Sequence, residues 1–272
     1  MCKIAIQGVE GAYSYEAMLQ KYGEVSYKCH ETFDGVFEAV ETGVSELGIL
    51  PIENSSTGSI TAVYDLLNHY DVKIVGETTL RITHNLMAST PVDIKEIKTV
   101  YSHQQGFDQC QSFFRKHEHL NAIPYKNTAL SAQKVSLEGD STQAAVASAL
   151  AAKEFGLYII EENINDQINN FTRFIVISKN AIRDSEANKI SFQSVIDHTP
   201  GTLYKMLSCF ETEKINLMKI ESRPIRNKPW EYIFYIDFEG NLENESTLRA
   251  LDHIKHYSNA FKMLGNYRKG EA

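Results

Sequence analysis

Asn170-Phe171-Thr172-Arg173-Phe174 is the stretch at which the pattern of this 272-residue chain changes. Before it, short apolar runs with strand character alternate with helical periodicity. Shortly after it, a polar segment of mixed charge, residues 179–189, reads as a linker, and beyond that the order of elements is different. The pentapeptide also sets a neutral hydroxyl donor beside a fixed cation between aromatic side chains. Such a pair suits a small anionic molecule that must lose an oxygen.

Working outward, residues 3–7 read as a buried strand, followed by the turn and helix start Gly8-Val9-Glu10-Gly11-Ala12-Tyr13-Ser14. Phe33, Val36, Phe37 and Val40 recur at i, i+3, i+4 and i+7, and Ile60, Val63, Tyr64 and Leu67 repeat that spacing, so each set marks an amphipathic helix. Further strands are expected at 25–29, 47–50, 72–75, 99–102, 121–125, 144–147 and 174–178. Strand–helix alternation implies an α/β fold with mostly parallel sheet. Eight strands are many for one sheet, and two lobes with a cleft between them divide them more comfortably. Beyond the linker, the expected elements are strand 190–196, helix 203–210, strands 217–222 and 232–238 joined by a Pro/Asn/Lys turn, helix 248–257 and strand 260–264. That order, strand-helix-strand-strand-helix-strand, is the ferredoxin-like arrangement.

Composition narrows the function. A hydrophobic share of 43% and a charged share of 23% fit a soluble globular protein, and a net charge of −8 with no Lys/Arg stripe excludes a backbone-neutralising nucleic-acid binder. No apolar run approaches membrane length, and the start Met1-Cys2-Lys3-Ile4-Ala5 is too short and strand-like for a signal peptide. A cytoplasmic protein with no membrane partner is expected. Cys2, Cys29, Cys110 and Cys209 are scattered without a C-x-x-C, and His117 and His119, two residues apart, point away from each other on a helix. No metal and no cofactor are expected.

Hydroxyl and amide side chains gather at the helix starts: Ser14, Ser55 to Ser59, Ser102 with Gln104 and Gln105, Asn127 with Thr128, and Ser148. Taken singly, each reads as an N-cap. Taken together, they stand at strand-to-helix turns, which in parallel sheets gather at one edge and offer N–H groups to anions. Glu53, in Pro51-Ile52-Glu53-Asn54-Ser55, reads equally as a catalytic group or as an acceptor that organises the turn. His103 reads as a general acid or as a surface residue at a helix start. Strand alternation sends Thr172 and Phe174 to one face and Arg173 to the other, so a bend is needed for both Thr172 and Arg173 to reach one ligand. Alone, Arg173 reads equally as a partner in a surface ion pair.

Five segments in order resemble the prephenate dehydratase family: Gly8 to Ser14, Pro51 to Ser55, Ser102-His103-Gln104-Gln105, Asn127-Thr128-Ala129, and Thr172-Arg173-Phe174 preceded by Asn169 and Asn170. Gln104 stands where proline is usual in the family, and Asn127 where serine is usual. The resemblance implies conversion of prephenate to phenylpyruvate with loss of carbon dioxide and water, in L-phenylalanine biosynthesis. It implies Thr172 as the catalytic residue, donating the proton itself or positioning a relay, with Ser14, Glu53, Asn54, Ser55, Ser102, Gln105, Asn127, Thr128, Arg173 and Phe174 binding substrate. Arg173 is then expected to hold a substrate carboxylate. It also implies a catalytic domain over about 1–180, two-lobed in the manner of type II periplasmic binding proteins. Lobe 1 takes about 1–82 and 165–180, lobe 2 about 83–164, with crossings near 81–88 and 161–166.

Residues 189–272 resemble an ACT regulatory domain. Pro200-Gly201-Thr202-Leu203 is similar to its P-G-A-L helix entry, with threonine for alanine, and Asn216-Leu217 and Glu221-Ser222-Arg223-Pro224 are similar to its ligand segments. The resemblance implies phenylalanine bound by Pro200, Gly201, Leu203, Asn216, Leu217, Glu221, Ser222 and Arg223, feedback inhibition, and a homodimer or homotetramer. With no helical extension before Met1, a fused chorismate mutase is not expected. Arogenate in place of prephenate, and a non-catalytic two-lobed sensor of small anions, are the alternatives.

Overall fold

The structure is a computed structural model that describes residues 2–225, 228 and 230–270. Lobe 1 is built from β1 (Cys2–Gln7), α1 (Tyr13–Tyr22), β2 (Tyr27–His30), α2 (Phe33–Glu41), β3 (Ser45–Asn54), β4 (Gly58–Ser59), α3 (Thr61–His69) and β5 (Lys73–Arg81). The chain then crosses to lobe 2: β6 (Asn85–Ala88), β7 (Thr99–Ser102), α4 (Gln104–Asp108), α5 (Gln111–Lys116), β8 (Asn121–Pro124), α6 (Thr128–Glu138), β9 (Gln143–Ala147), α7 (Ala149–Glu154) and β10 (Tyr158–Glu161). It returns through β11 (Phe171–Ser178), which lies between β3 and β5 in the lobe 1 sheet, order β2-β1-β3-β11-β5. The lobe 2 sheet has the order β10-β6-β9-β7-β8.

The expected helices around 33–40 and 60–67 form as α2 and α3, because their repeated apolar positions reach the core: Val36, Phe37, Val40 and Val63 are fully buried. Thr32 caps α2 by accepting from the Gly35 N–H at 3.1 Å. Asn85–Ala88 and Tyr158–Glu161, expected within or next to the crossings, are strands in their own right. The sheets are mixed, not mostly parallel as expected. In each lobe's row of five strands one opposes the rest, β11 in lobe 1 and β6 in lobe 2, and the two-residue β4 beside β3 also runs against it. The reason is the crossing itself. The strand by which the chain enters a lobe runs away from the cleft, whereas the strands that lead into helices or out of the lobe run toward it.

The C-terminal domain follows as β12 (Lys189–Ile196), α8 (Thr202–Thr212), β13 (Leu217–Pro224), β14 (Tyr232–Glu239), α9 (Glu245–His256) and β15 (Ser258–Tyr267). Its sheet is antiparallel with order β13-β14-β12-β15, the ferredoxin-like topology. The turn expected between β13 and β14 includes residues 226, 227 and 229, which lie outside the described residues. Lys189, expected to end a polar linker, is buried as the first residue of β12.

This domain is not a loosely tethered module. Ile233, Tyr235, Leu264 and Tyr267 share one buried apolar cluster with Phe37, Leu50, Leu67 and Ile175 of lobe 1. The Tyr235 hydroxyl donates to the Tyr64 carbonyl at 2.7 Å, and Lys262 Nζ donates to the carbonyls of Leu67 and Tyr70 at 2.9 and 2.7 Å. Among the described residues no helix is long and apolar enough to cross a membrane.

At Gly265 in β15, an added Cβ would lie 2.0 Å from the Ile74 carbonyl oxygen of β5. That neighbour is backbone and cannot turn aside. Gly265→Ala should therefore destabilise the chain by at least the ~1–3 kcal/mol typical of overpacking. A wild-type midpoint in urea denaturation would show that β15 does not seat against β5.

Candidate active site

The site rests on an irregularity in one ladder. Thr172 pairs with Asn54 and Arg173 with Glu53, but Phe174 pairs with Pro51, so β3 carries one extra residue at Ile52. This bulge resets the alternation. Pro51 and Asn54, three apart on β3, both face the cleft with Thr172 and Phe174. Glu53 and Arg173 face the other way.

Between the lobes lies a cavity of 350 Å³ lined by Ser14, Asn54, Gln105, Asn127, Thr128, Thr172 and Phe174 from the expected set. Gln7, Tyr13, Phe33, Ile60, Ile82, His84, His103 and Gln109 complete most of its wall. Among the described residues no Lys, Arg, Asp or Glu lines it. Helix starts face it instead. The N-cap of α1 is Ala12, which has no side chain to occupy the free N–H groups of the first turn. Beside it the Ser14 hydroxyl, in a residue only 5% exposed, has no hydrogen-bond partner among the described residues. Across the cleft, Asn127 caps α6 by accepting from Leu130 N at 2.7 Å.

The hydrogen-bond directions can be worked out from the backbone. Asn54 Oδ1 accepts from the Ser56 and Thr57 N–H groups at 2.9 and 3.0 Å, so its amide cannot be flipped. Asn54 Nδ2 then donates to Asn170 Oδ1 at 2.8 Å and to Thr172 Oγ1 at 2.9 Å. The Thr172 hydroxyl is thus an acceptor toward Asn54, and its own proton has no acceptor among the described residues other than whatever enters the cavity. Asn170 Nδ2 donates to Gln109 Oε1 at 3.0 Å, which also faces His84 Nε2 at 2.9 Å. His84 therefore carries its proton on Nε2, and its Nδ1 lies 2.9 Å from the Tyr13 hydroxyl, which donates to the Thr83 carbonyl at 2.8 Å. Burial pushes the His84 pKa down, against the opposing pull of Gln109, and burial, with Glu16 and Cys110 adding to it, pushes the Tyr13 pKa well up. Both shifts favour the neutral forms.

The two lobes touch at two places. Gln105 Nε2 donates to Thr57 Oγ1 at 2.7 Å, and Thr57 Oγ1 to Asn54 Oδ1 at 3.2 Å. Ser148 caps α7 and donates to the Gly11 carbonyl at 3.0 Å, where a Cβ on Gly11 would lie 2.8 Å from Ala151 Cα. His103 both lines the cavity and starts α4, its Nδ1 accepting from Gln105 N at 3.2 Å.

Several expected contacts are corrected. Arg173 does not reach the cavity, because alternation turns it to the opposite face, where Glu53, Glu77 and Asp237 hold it. Glu53 goes with it and is paired with Arg173 and Lys219. Burial raises the Glu53 pKa, but Lys219 and Arg173 more than offset that and hold it below the usual carboxylate range. Ser102 is fully buried and donates to the Val146 carbonyl at 2.8 Å, tying β7 to β9. Ser55 accepts from Phe171 N at 2.9 Å and so fastens the turn after β3 to the start of β11. Tyr13, His84 and Gln109 went unnoticed in the sequence, where only the polar helix starts gave a signal.

In the C-terminal domain the expected ligand set divides by alternation along β13. Ser222 and Leu203 line a cavity of 310 Å³ with Trp230, Tyr232 and Phe234, and Pro200 and Gly201 lie exposed at the nearby start of α8. Glu221 and Arg223 point instead to lobe 1. Glu221 accepts from the Ser59 hydroxyl at 2.6 Å, and Arg223 pairs with Asp65 at 3.3 Å. Leu217 packs in the domain core, and Asn216 offers its carbonyl to Glu239 N at 3.0 Å.

A two-lobed α/β cleft walled by neutral side chains, largely apolar in surface and with a hydroxyl proton unengaged among the described residues, defines a protein with a site for a small molecule. The prephenate dehydratase family model matches residues 4–182, and the chain belongs to that family. Arogenate dehydratase/prephenate dehydratase 2, chloroplastic, of Arabidopsis thaliana is 37% identical over 278 residues, 97% of this chain and 72% of that one. The crystal structure of the prephenate dehydratase of Arthrobacter aurescens in complex with L-Phe superposes with a TM-score of 0.89 at 29% identity, covering 98% of this chain and 90% of that chain. A structure described as GqqA, a novel type of quorum quenching acylase, gives 0.89 at 30% identity over 98% of both chains.

The buried His84 yields a pH test. Its pKa in the folded state lies below the ordinary value of about 6.5, so below that pH the unfolded chain takes up a proton that the folded one refuses. Stability should fall as pH drops through about 6.5 and go on falling until the folded pKa is passed. His84→Gln should flatten this slope between about pH 7.5 and 5.5 in urea titrations. An unchanged slope would place the proton uptake elsewhere.

Proposed function

We propose that this protein converts prephenate to phenylpyruvate with release of carbon dioxide and water, in the formation of L-phenylalanine. The observation that carries this reading is the Thr172 hydroxyl, held as an acceptor by Asn54 and presenting its proton to a cavity without formal charge. In the reaction the ring carboxylate leaves as carbon dioxide, its bonding electrons fill the ring, and the ring C–O bond breaks. Negative charge builds on the departing oxygen, and a donor fixed beside it stabilises that charge as the oxygen becomes water. Phe174 and Phe33 give the cavity an apolar side against which a carboxylate is poorly solvated and more readily lost as a neutral gas. The remaining carboxylate suits the uncapped start of α1 and the Ser14 hydroxyl.

The C-terminal domain reads as an ACT domain, and its 310 Å³ cavity, with Leu203, Trp230, Tyr232 and Phe234 beside the Ser222 hydroxyl, suits an aromatic amino acid. Inhibition by phenylalanine is part of the same proposal, as is assembly into a dimer or tetramer. Strand β13 supports the latter, since among the described residues it is paired on one side only.

The test is phenylpyruvate formation from prephenate and from arogenate, with and without phenylalanine. Turnover of prephenate, suppressed by phenylalanine, is expected. Thr172→Val keeps the shape and removes the hydroxyl, and kcat should fall by about 10²–10⁴ with the fold intact. Near-normal turnover by that variant would remove Thr172 from the chemistry, and turnover of arogenate alone would change the substrate.

A further inference from the structure

The rung next to Asn54–Thr172 in the β3–β11 ladder is Glu53–Arg173, and every partner it has beyond lobe 1 comes from the C-terminal domain. Arg173 Nε and Nη2 bind Glu53 Oε2 at 3.3 and 2.8 Å, while Nη1 binds Glu77 Oε2 at 3.1 Å and Asp237 Oδ2 at 3.0 Å. Lys219 Nζ binds Glu53 Oε1 at 2.7 Å. Lys189 Nζ closes the cluster on Glu77 Oε2 at 2.7 Å and Asp237 Oδ2 at 3.3 Å, and Ser191 Oγ donates to Asp237 Oδ1 at 2.6 Å. Three cations thus face three carboxylates, with Glu221 of β13 as a fourth at the rim, 4.0 Å from Lys219 Nζ; β12 supplies Lys189, β13 Lys219 and Glu221, and β14 Asp237.

Joining the domains does not require these charges, since the shared apolar cluster already does so. A buried ionic cluster gives little net stability over apolar packing, but it fixes geometry closely. Here it fixes the Arg173 guanidinium between carboxylates of both domains. The backbone of β11 at Thr172 is one residue away.

We propose that Asp237 is a positioning residue for the reaction, acting with Lys189 and Lys219 through Arg173 and Glu53 to hold the Asn54–Thr172 rung. The C-terminal domain thereby completes the active site without touching substrate. The same strands link it to the second cavity. Ser222 lies three residues from Lys219 on β13, and Tyr232 and Phe234 precede Asp237 on β14. A ligand that shifts β13 against β14 moves Lys219 and Asp237, and with them the Glu53–Arg173 rung. This inference deepens the reading of the cleft as a prephenate site and rests on it.

The experiment is steady-state kinetics of the full chain on prephenate for wild type, Asp237→Asn, Asp237→Glu, Ser191→Ala and Tyr235→Phe, each with a phenylalanine titration. Asp237→Asn should lower kcat about tenfold or more with KM changed less than about twofold, as expected for a small displacement of a catalytic group. It should also blunt phenylalanine inhibition, and Asp237→Glu should recover part of both. Ser191→Ala loosens Asp237 without removing charge. It should show the same split more weakly, and it carries the test if Asp237→Asn does not fold. Tyr235→Phe removes an inter-domain hydrogen bond, to the Tyr64 carbonyl, that none of the clustered charges makes, and it should leave kcat unchanged. Unchanged kcat in folded Asp237→Asn, or an equal loss in Tyr235→Phe, would overturn the proposal. A wild type inactive on prephenate would instead sink the reading of the cleft on which it rests.

Discussion

The rest of the structure depends on one extra residue in β3. A regular β3–β11 ladder would place residues 51, 53 and 55 on one face and put the Glu53 carboxylate in the cleft. The bulge at Ile52 shifts the phase, so the cleft receives Pro51 and Asn54 and the underside receives Ile52 and Glu53. A carboxylate in the cleft would repel an anion and would need a proton or a cation to stay there. An amide in its place can orient a hydroxyl and carry no charge. The displaced carboxylate then meets Arg173, which simple alternation had already sent to the same side. The neutrality of the cleft and the ionic character of the domain junction are therefore two consequences of one backbone irregularity.

A chain with net charge −8 can take an anion into such a cleft because fixed dipoles do the work of formal charges. Only groups with fixed direction suit this purpose, and the direction here traces back to the Ser56 and Thr57 N–H groups, which cannot rotate. Asn54, Asn170, Gln109 and His84 take their orientations from that point in turn. The donor proposed at the near end of this chain, Thr172, loses little freedom when a substrate arrives. That is preorganisation in its plain sense.

The local parts of this structure were legible in the sequence, and the pairing-dependent parts were not. Helices α2 and α3 could be read because an apolar stripe at helical spacing is a property of a dozen consecutive residues. The ferredoxin-like order could be read for the same reason. The bulge at Ile52 could not, since it exists only relative to β11, whose Thr172 lies 118 residues from Asn54 in the chain. The bend expected so that Thr172 and Arg173 could reach one ligand does not occur: the two face opposite sides, and the irregularity lies on the partner strand. Arg173 was taken for a substrate ligand because its companions, Glu77 at 96 residues and Asp237 at 64, leave no mark near it. Glu221 and Arg223 are a different kind of miss. Their alternation with Ser222 along β13 was readable, and it already separates the side chains that face lobe 1 from the one that faces the cavity.

A threonine hydroxyl is a poor acid, and its presence where a carboxylic acid or an imidazolium would be stronger calls for a physical reason. The cleft suits anions, so an ionised acid there would oppose binding, and a protonated carboxylic acid would have to hold its proton against surroundings arranged to favour negative charge. A hydroxyl avoids both costs. It stays neutral at every working pH, and one fixed partner is enough to aim it. Asn54 is that partner, so the position of Asn54 matters more to Thr172 than any neighbouring charge. That position is set on one side by the turn at Ser56 and Thr57 and on the other by the ladder to β11. Arg173 and Glu53 are the next rung of that ladder, which is why residues that never meet the cleft bear on what happens inside it.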